Sequence, residues 1–570
     1  MIDAWFSKKH FAAFFVILSF VLLGGLGPAQ TAAQESAIDY IGFMACDTLK
    51  GWLSPLRTAY TVDYYDLRLQ ICEQEKTLTG TNEILFTAAD SFDKIQIDLH
   101  ENMLIDSIVF QTKHLEYRRE CSAVFVRFPD VEKGYRGRFL IGFSGSPKVA
   151  SNPPWSGGAV WANNEEGHPW FAITCQSEGA SLWWPCKDHL YDQPDSMLIT
   201  LTVREEYVAV SNGSFVKKEP AELPGWKKWT WKVNYPISNY NVTYYAGNFK
   251  HHRDFFFSIG GDTVVLDYFV LPENYQISKT HFKQVHDVLE AFEYYFGPYP
   301  FPKDGYKLVE SPYVGMEHQT AIAYGNQYSS GYLGIRTLPE LDFDYIILHE
   351  TAHEYFGNSV SCTDLGDMWI QESFATYMEA LFVEYHFGKT TAEEYLGAQR
   401  RQILNIQPVA GPLNVNFHRY RIGNDQYFKG SWMLHTLRHY INDDQKWWRM
   451  LNAIYNRFAY QAVDRYELLS LISALAGEDL DWFFHQYLHQ GQLPNFQIEV
   501  KESGEKLVLK YRWTNTRPDF RLPVKIELPD GRVEILQATI EYNTHHINDM
   551  HWRDTRIMSE TFLADWEWVN

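Results

Sequence analysis

The residues best suited to chemistry are two histidines and a glutamate in His349-Glu350-Thr351-Ala352-His353. Two histidines four positions apart on a helix lie one turn apart on one face, so both imidazoles can reach one metal ion. Zinc in a hydrolytic site takes three protein ligands and leaves a position open for water. Glu372 follows His353 after 18 intervening residues and is the candidate third ligand. The pattern predicts one hydrolytic zinc ion, with Glu350 beside it.

Two helices must carry these residues. An apolar run from Tyr345 to Leu348 precedes the first histidine, and Gly357 provides a helix stop after the second. The other helix is predicted from Met368 to Phe387 and closed by Gly388. The alternative is a surface helix whose His and Glu side chains are merely solvated. The combined features favour the buried metal helix.

The whole chain predicts a multidomain α+β protein. Residues 58–250 contain short alternating strands separated by turn formers, which indicates an N-terminal antiparallel β domain. Residues 251–490 are mainly helical and contain the zinc motif, so they form the predicted catalytic domain. Alternation returns after Pro494, and residues 495–570 are predicted to form a small C-terminal β-sandwich.

Residues 1–33 are typical of an export signal. Lys8, Lys9 and His10 precede an apolar stretch from Phe11 to Gly27, and a small-residue cleavage site follows at residues 31–33. The apolar stretch is shorter than the roughly 20 residues that a spanning helix prefers, so an uncleaved membrane anchor is the less favoured alternative. We expect an exported protein, periplasmic or extracellular.

The composition excludes some classes of partner. The net charge is -21 and no basic run occurs, which argues against nucleic-acid binding. No obligate protein partner is predicted. The six cysteines could pair in an exported chain. Cys175 and Cys186 are the closest pair, but buried free thiols are at least as good an interpretation, and no cysteine has metal-ligand spacing.

Two further motifs give the chain a family resemblance. Gly315-Met316-Glu317 precedes the zinc motif by about 30 residues, and Tyr427-Phe428-Lys429-Gly430 follows it. With the zinc motif, they resemble the M1-family zinc aminopeptidases, of the gluzincin class, in order and spacing over about residues 58–490. The resemblance implies a thermolysin-like catalytic domain. It also implies hydrolysis of the N-terminal residue from peptides with a free N-terminus.

The resemblance also implies roles for individual residues. Glu317 would bind the substrate's α-amino group, with Gln176 near the same amine. From the residues alone, Glu317 is best interpreted as a surface charge and Gln176 as part of a packed corner. Tyr427 would stabilise the transition state. Backbone at Gly315-Met316 could pair with the substrate as a strand does.

Zinc would be held by His349, His353 and Glu372, while Glu350 would act as the general base. Thr376, one turn after Glu372, is a candidate for orienting the ligands, and a packing role is an equally good interpretation.

The chain departs from the family pattern at several positions near these motifs. The family usually has Gly, Asn and Gly where this chain has Val314, His318 and Ser373, and it often has Gln-Trp in place of Glu354-Tyr355. No departure removes a catalytic group. Two alternatives stay open: a related zinc hydrolase, acting as an endopeptidase or on an epoxide, and a non-catalytic binding protein on the same fold.

Overall fold

The computed structural model describes residues 42–176, 178–503, 506–548 and 555–569. The predicted export signal, residues 1–33, lies outside these ranges. Within them, none of the helices combines the length and the apolar character that a bilayer crossing requires.

The strands follow the alternating segments of the sequence. In order they are β1 Tyr60–Cys72, β2 Thr77–Ala88, β3 Phe92–Asp98, β4 Met103–Phe110, β5 Lys113–His114, β6 Tyr117–Glu120, β7 Ala123–Val131, β8 Arg136–Gly145, β9 Gly158–Asn163, β10 Pro169–Thr174, β11 Ser196–Arg204, β12 Val208–Ser211, β13 Ser214–Pro220, β14 Trp226–Val233, β15 Tyr244–Gly247, β16 Lys250–Phe257, β17 Thr263–Val270, β18 Tyr306–Glu310, β19 Gly315–Met316, β20 Ile322–Tyr324, β21 Val360–Cys362, β22 Gln461–Val463, β23 Asn495–Ser503, β24 Lys506–Thr514, β25 Val524–Glu527, β26 Val533–Leu536, β27 Asn543–Asn548, β28 Arg556–Ile557 and β29 Asp565–Trp568.

The N-terminal region is a β structure built on an eight-stranded sheet. Its strand order is β13-β14-β11-β1-β2-β8-β4-β5. All neighbours are antiparallel except β1 and β11, which run parallel. Strand β1 shows why the alternation was informative, because Tyr65, Leu67 and Leu69 are buried in turn while residues between them face outward.

The region that follows is mainly helical. The helices of the described chain are α1 Ala45–Gly51, α2 Pro55–Thr58, α3 Tyr275–His281, α4 Gln284–Phe296, α5 Tyr345–Tyr355, α6 Trp369–Phe387, α7 Lys389–Arg400, α8 Phe428–Ile441, α9 Asp444–Phe458, α10 Arg465–Ala476 and α11 Asp481–Phe484. Helix α5 begins at a cap, where the Asp344 carboxylate accepts hydrogen bonds from the backbone N–H groups of Ile346 and Ile347. Residues Ile346 to Tyr355 are all buried, as expected of a helix inside a core.

Two apolar cores meet beside the zinc motif. One lies inside the N-terminal β region, and the other joins the helices to the C-terminal sheets β27-β24-β23-β29 and β26-β25-β28. The five-stranded sheet β16-β17-β18-β20-β19 lies between them. Met316 on β19 packs in the first core, whereas Ile322 on β20 packs in the second. The Gly315-Met316-Glu317 motif is therefore held where the two cores come together.

A disulfide joins Cys46 to Cys121. The pair closest in sequence, Cys175 and Cys186, consists of buried free thiols. Cys175 and Cys186 are therefore not paired with each other, and the interpretation as buried free thiols is confirmed for both.

Candidate functional site

Helices α5 and α6 bring the three predicted zinc ligands together. The Nε2 atoms of His349 and His353 lie 3.2 Å apart. Glu372 Oε2 lies 3.4 Å from Nε2 of His353 and 3.9 Å from Nε2 of His349. All three residues are buried. The two imidazoles lie on one face of α5 because they are one turn apart, and α6 places the carboxylate opposite them.

These residues fit a zinc ion. Ligand atoms at the usual 2.0–2.1 Å from tetrahedral zinc lie about 3.4 Å from each other. The separations of 3.2, 3.4 and 3.9 Å are close to that value. Glu372 Oε2 is buried and has no hydrogen-bond partner among the described residues. A buried, unpartnered carboxylate oxygen facing two imidazole nitrogens is an arrangement that a cation satisfies.

His349 is oriented by a carboxylate that the sequence did not single out. Its Nδ1 donates to Glu379 Oε1 at 2.7 Å, which leaves Nε2 free to face the metal position. Glu379 Oε1 also accepts from the Tyr345 hydroxyl, and Oε2 accepts from Tyr395 and Gln399. Glu379 lies seven residues after Glu372, two turns along the same face of α6, and this spacing is the signal that could have identified it.

Thr376, the predicted orienting residue, does not have that role. Its Oγ1 is buried without a hydrogen-bond partner in the described part of the chain. The residue of α6 that orients His349 is instead Glu379. The packing interpretation of Thr376 is the one that agrees with these contacts.

His353 is oriented by backbone. Its Nδ1 donates to the carbonyl oxygen of Phe356 at 2.9 Å. Gly357 follows at φ +135°, and a Cβ atom there would lie 2.9 Å from His353 Nδ1. The glycine predicted as a helix stop therefore has a second purpose, because it lets the chain turn tightly around the imidazole.

Glu350 lies beside the metal ligands and under strand β19. A Cβ atom on Gly315 would lie 2.6 Å from Glu350 Oε1, so a side chain at position 315 would require this carboxylate to move. Burial raises the pKa of Glu350 to about 8, with Glu317 adding to the rise and His349 opposing it. A carboxylate whose pKa is moved towards neutrality is suited to accept and return a proton.

Glu317 is buried at the same site. Ligand atoms of Glu317, Glu350 and His353 all lie within 4.8 Å of one another. Burial raises the pKa of Glu317 above its ordinary value. The Tyr240 hydroxyl lies 3.2 Å from Glu317 Oε1 and 3.0 Å from Gln371 Oε1. Tyr240 comes from the N-terminal β region, and no local sequence pattern marks it as part of the site.

Gln176 and Tyr427 both contact the third ligand. Gln176 Nε2 donates to Glu372 Oε1 at 3.3 Å, and the Tyr427 hydroxyl donates to the same atom at 3.0 Å. Gln176 thus reaches the site, but its described hydrogen bond is to Glu372 and not to Glu317. Burial raises the pKa of Tyr427 well above its usual range, and Glu372 adds to the rise, so the phenol remains a donor.

Helices α6 and α8 interlock behind these groups. Ser373 Oγ donates to the carbonyl oxygen of Gln426 at 2.7 Å, directly before Tyr427. Gly430 packs so closely on Ser373 that a Cβ atom at position 430 would overlap its hydroxyl. The residue after the third ligand therefore fixes the backbone that carries the tyrosine.

Strand β19 gives the site a free edge. It pairs antiparallel with β20, with Gly315 opposite Tyr324 and Met316 opposite Ala323. It is the last strand in its sheet, so its outer edge pairs with no strand of the described residues. An extended peptide could add to this edge through its backbone.

Family models match most of the chain. The model described as the peptidase M1 N-terminal domain matches residues 61–241, and that of the peptidase family M1 domain matches residues 280–487. Aminopeptidase N of Lactococcus lactis subsp. lactis is 24% identical over 86% of this chain and 61% of its own length. Endoplasmic reticulum aminopeptidase 1 of Rattus norvegicus is 24% identical over 58% of this chain and 36% of its own length. The chain spans less than two thirds of these relatives.

Solved structures share the fold. The M1 zinc metallopeptidase from Deinococcus radiodurans aligns with a TM-score of 0.63 and 22% identity, covering 76% of this chain and 94% of that one. A mutant of that metallopeptidase bound to a Tyr-Ser-Ala substrate aligns with a TM-score of 0.62 and 21% identity, covering 76% of this chain and 95% of that one. The two family models together cover more than half of the 570 residues, in the order expected. The chain therefore belongs to peptidase family M1.

Proposed function

We propose that this chain is a zinc-dependent aminopeptidase, which removes the N-terminal residue from peptides with a free N-terminus. The observation that carries the proposal is the position of Glu317. Its buried carboxylate lies within 4.8 Å of Glu350 and His353 and offers a negative charge to a substrate ammonium beside the metal ligands. A buried carboxylate at this position gains a partner when a free N-terminus binds, whereas the internal peptide bond that an endopeptidase cleaves offers no ammonium.

The residues divide the chemistry between them. A zinc ion held by His349, His353 and Glu372 would polarise the scissile carbonyl and make water more acidic. Glu350 takes a proton from the attacking water and passes it to the leaving amine. The Tyr427 hydroxyl leaves Glu372 and donates to the oxyanion of the tetrahedral intermediate, since its raised pKa keeps the proton available.

Substrate binding uses the groups on either side of β19. Glu317 pairs with the ammonium, and the free edge at Gly315-Met316 accepts the peptide backbone. Gln176 supports Glu372 in this structure and lies on the same side of the site. A peptide with a blocked N-terminus would leave the Glu317 carboxylate buried without a partner, which is costly.

The test compares one peptide with a free N-terminus and the same peptide N-acetylated. We expect acetylation to lower kcat/KM about a thousandfold or more, because the site is built to bind the amine. The Glu350→Gln variant serves as control and should retain zinc while losing most of its activity. Equal rates on the two peptides would exclude the aminopeptidase proposal and favour an endopeptidase. No hydrolysis by zinc-loaded protein would favour a binding protein.

We infer that the chain is exported. The signal-like pattern of residues 1–33 supports this, and so does the Cys46–Cys121 disulfide, because disulfides persist in oxidising compartments. N-terminal sequencing of protein from fractionated cells tests the inference. A mature N-terminus close to residue 34 outside the cytoplasm is expected, whereas intact cytoplasmic protein with free Cys46 would contradict it.

A further inference from the structure

Glu354 follows the second zinc-site histidine, and the proposed mechanism makes no use of it. It is fully buried. Its Oε1 accepts from the backbone N–H of Thr320 at 2.8 Å and from Asn358 Nδ2 at 3.1 Å. Its Oε2 accepts from the Tyr299 hydroxyl at 2.8 Å. A carboxylate that receives three donors inside a core is held in one position and holds its partners in turn.

Two of these donors, the Thr320 N–H and the Asn358 amide, connect Glu354 to residues 317–320, which we call the amine-anchor segment. Asn358 Nδ2 also donates to the backbone carbonyl of Glu317 at 2.9 Å, so it bridges that carbonyl to Glu354. Asn358 Oδ1 accepts from Asn241 Nδ2 at 2.6 Å, which fixes the orientation of the amide. Glu354 thus reaches both ends of the segment, through Asn358 at Glu317 and directly at Thr320.

The far end of the segment is strained. Thr320 has φ +55°, a left-handed conformation that is unfavourable for a β-branched residue. Its Oγ1 accepts from the backbone N–H of Gly213 at 2.9 Å, and its own N–H donates to Glu354. Strain of this kind persists only where surrounding contacts determine the conformation. Glu354 accepts one of the hydrogen bonds that hold Thr320 in this conformation.

We propose that Glu354 is a positioning residue for substrate recognition. It fixes the amine-anchor segment so that the Glu317 carboxylate faces the substrate ammonium beside the metal ligands. The inference rests on the proposed role of Glu317. It assigns Glu354 no contact with substrate and no proton transfer.

The three groups that donate to Glu354 determine which substitutions at this position still hold the amine-anchor segment. In a Glu354→Gln variant, the amide oxygen can still accept from Thr320 and Asn358. The amide N–H₂ would then face Tyr299, whose hydroxyl can turn and accept instead of donating. In Glu354→Met, whose side chain has a similar shape, the Thr320 N–H loses its acceptor and Asn358 loses the bridge between Glu317 and residue 354, while Tyr299 can still donate to the Gly305 carbonyl. Glutamine should therefore rescue the role, and methionine should not.

Glu310 offers a matched control. It is also buried, and it also accepts from a backbone N–H, an asparagine amide and a tyrosine hydroxyl, those of Leu271, Asn274 and Tyr328. Its partners do not include the amine-anchor segment. Glu310→Met therefore removes the same kinds of hydrogen bond from the same protein without releasing Glu317.

The experiment uses the zinc-loaded full chain, leucine amide as substrate and two inhibitors. Leucine hydroxamate has both a free amine and a metal-binding group, whereas acetohydroxamic acid has the metal-binding group only. For Glu354→Met we expect about a tenfold rise in KM and in the Ki of leucine hydroxamate, with kcat within about threefold of wild type. The Ki of acetohydroxamic acid should not change. Glu354→Gln and Glu310→Met should match wild type within about threefold for both inhibitors.

A second variant, Asn358→Leu, removes the bridge to Glu317 and should reproduce the pattern if Glu354→Met fails to fold. The inference is overturned if leucine hydroxamate binds these variants as tightly as wild type. It is also overturned if both inhibitors weaken equally, or if Glu310→Met shows the same selective loss. Failure of wild-type protein to hydrolyse leucine amide or any other member of a panel of free amino-acid amides would instead contradict the proposed function, so the two failures are distinguishable.

Discussion

The metal side and the amine-anchor side of the site are equally buried but are held by different chemistry. On the metal side, lone pairs of His349, His353 and Glu372 converge, and Glu372 Oε2 has no hydrogen-bond partner among the described residues. On the anchor side, the backbone at Glu317 is held by Asn358, which is itself fully bonded to Glu354 and Asn241. The metal side needs a cation to satisfy its lone pairs, whereas the backbone of the anchor side is already held by hydrogen bonds within the protein.

This difference separates two properties of the site, metal binding and recognition of an amine. Converging lone pairs in a low-dielectric site repel one another until an ion binds, so the metal side is sensitive to groups that tune its ligands. The anchor side depends on hydrogen bonds between neutral groups and one carboxylate, so it is sensitive to geometry. Metal affinity and amine recognition should therefore respond to different substitutions.

The largest effect is expected on the metal side, at Glu379. In Glu379→Gln, one oxygen is replaced by an amide N–H₂, so the group cannot accept from His349, Tyr345, Tyr395 and Gln399 at once. We expect zinc affinity to fall about 10- to 100-fold, as measured by competition with a chelator. Discrimination between leucine hydroxamate and acetohydroxamic acid should persist at saturating zinc.

Glu384→Gln is the control for this variant, because Glu384 lies on the same helix but pairs with Arg438. Equal losses of zinc affinity in the two variants would show that charge on α6 matters, and not the hydrogen bond to His349.

A smaller effect is expected on the anchor side, at His318. This residue is fully buried, its Nδ1 lies 2.7 Å from the Tyr245 hydroxyl, and burial lowers its pKa to about 3. The folded protein therefore keeps the imidazole neutral between pH 6.5 and about 3, while the unfolded chain binds a proton below 6.5. Stability from this residue is present above pH 6.5 and is lost as pH falls, by about 1.4 kcal/mol per pH unit.

The measurement is the free energy of urea unfolding at pH 7 and pH 5.5, for wild type and His318→Asn, both saturated with zinc. Wild type should lose about 1.4 kcal/mol more than the variant between these two values. An identical loss in the two proteins would show that His318 is protonated without cost, and that the anchor side is less rigidly buried than its contacts indicate.

The parts of the site that could be predicted are those encoded by local spacing. His349 and His353 are one helical turn apart, and Glu350 lies between them, so helix geometry alone brings them together. Glu372 could be predicted as the third ligand because it lies on the next predicted helix, 18 residues after His353. Glu379 obeys the same periodicity, but α6 is buried over most of its length and carries several polar residues, so spacing alone did not distinguish it from Thr376.

The contacts that could not be predicted join distant segments. Tyr240 reaches Glu317 from the N-terminal β region, and Gln176 reaches Glu372 rather than Glu317. In the fold, too, local patterns could be predicted, whereas features set by distant contacts could not. Alternation predicted the long strands, whereas the break between α3 and α4 at residues 282–283 was not predicted. Tertiary packing decides such breaks, and no pattern in the neighbouring residues marks them.

The interlock of α6 and α8 has a consequence for how this sequence can evolve. Ser373 occupies the volume that a methyl group at position 430 would need, so the two positions share one space. Ser373 Cβ would also lie 2.5 Å from a Cβ atom at 430, so a lineage that acquires alanine at 430 must first acquire glycine at 373 and lose the hydrogen bond to Gln426. The order of the two substitutions is therefore constrained, and descendants of this chain should change position 373 before position 430.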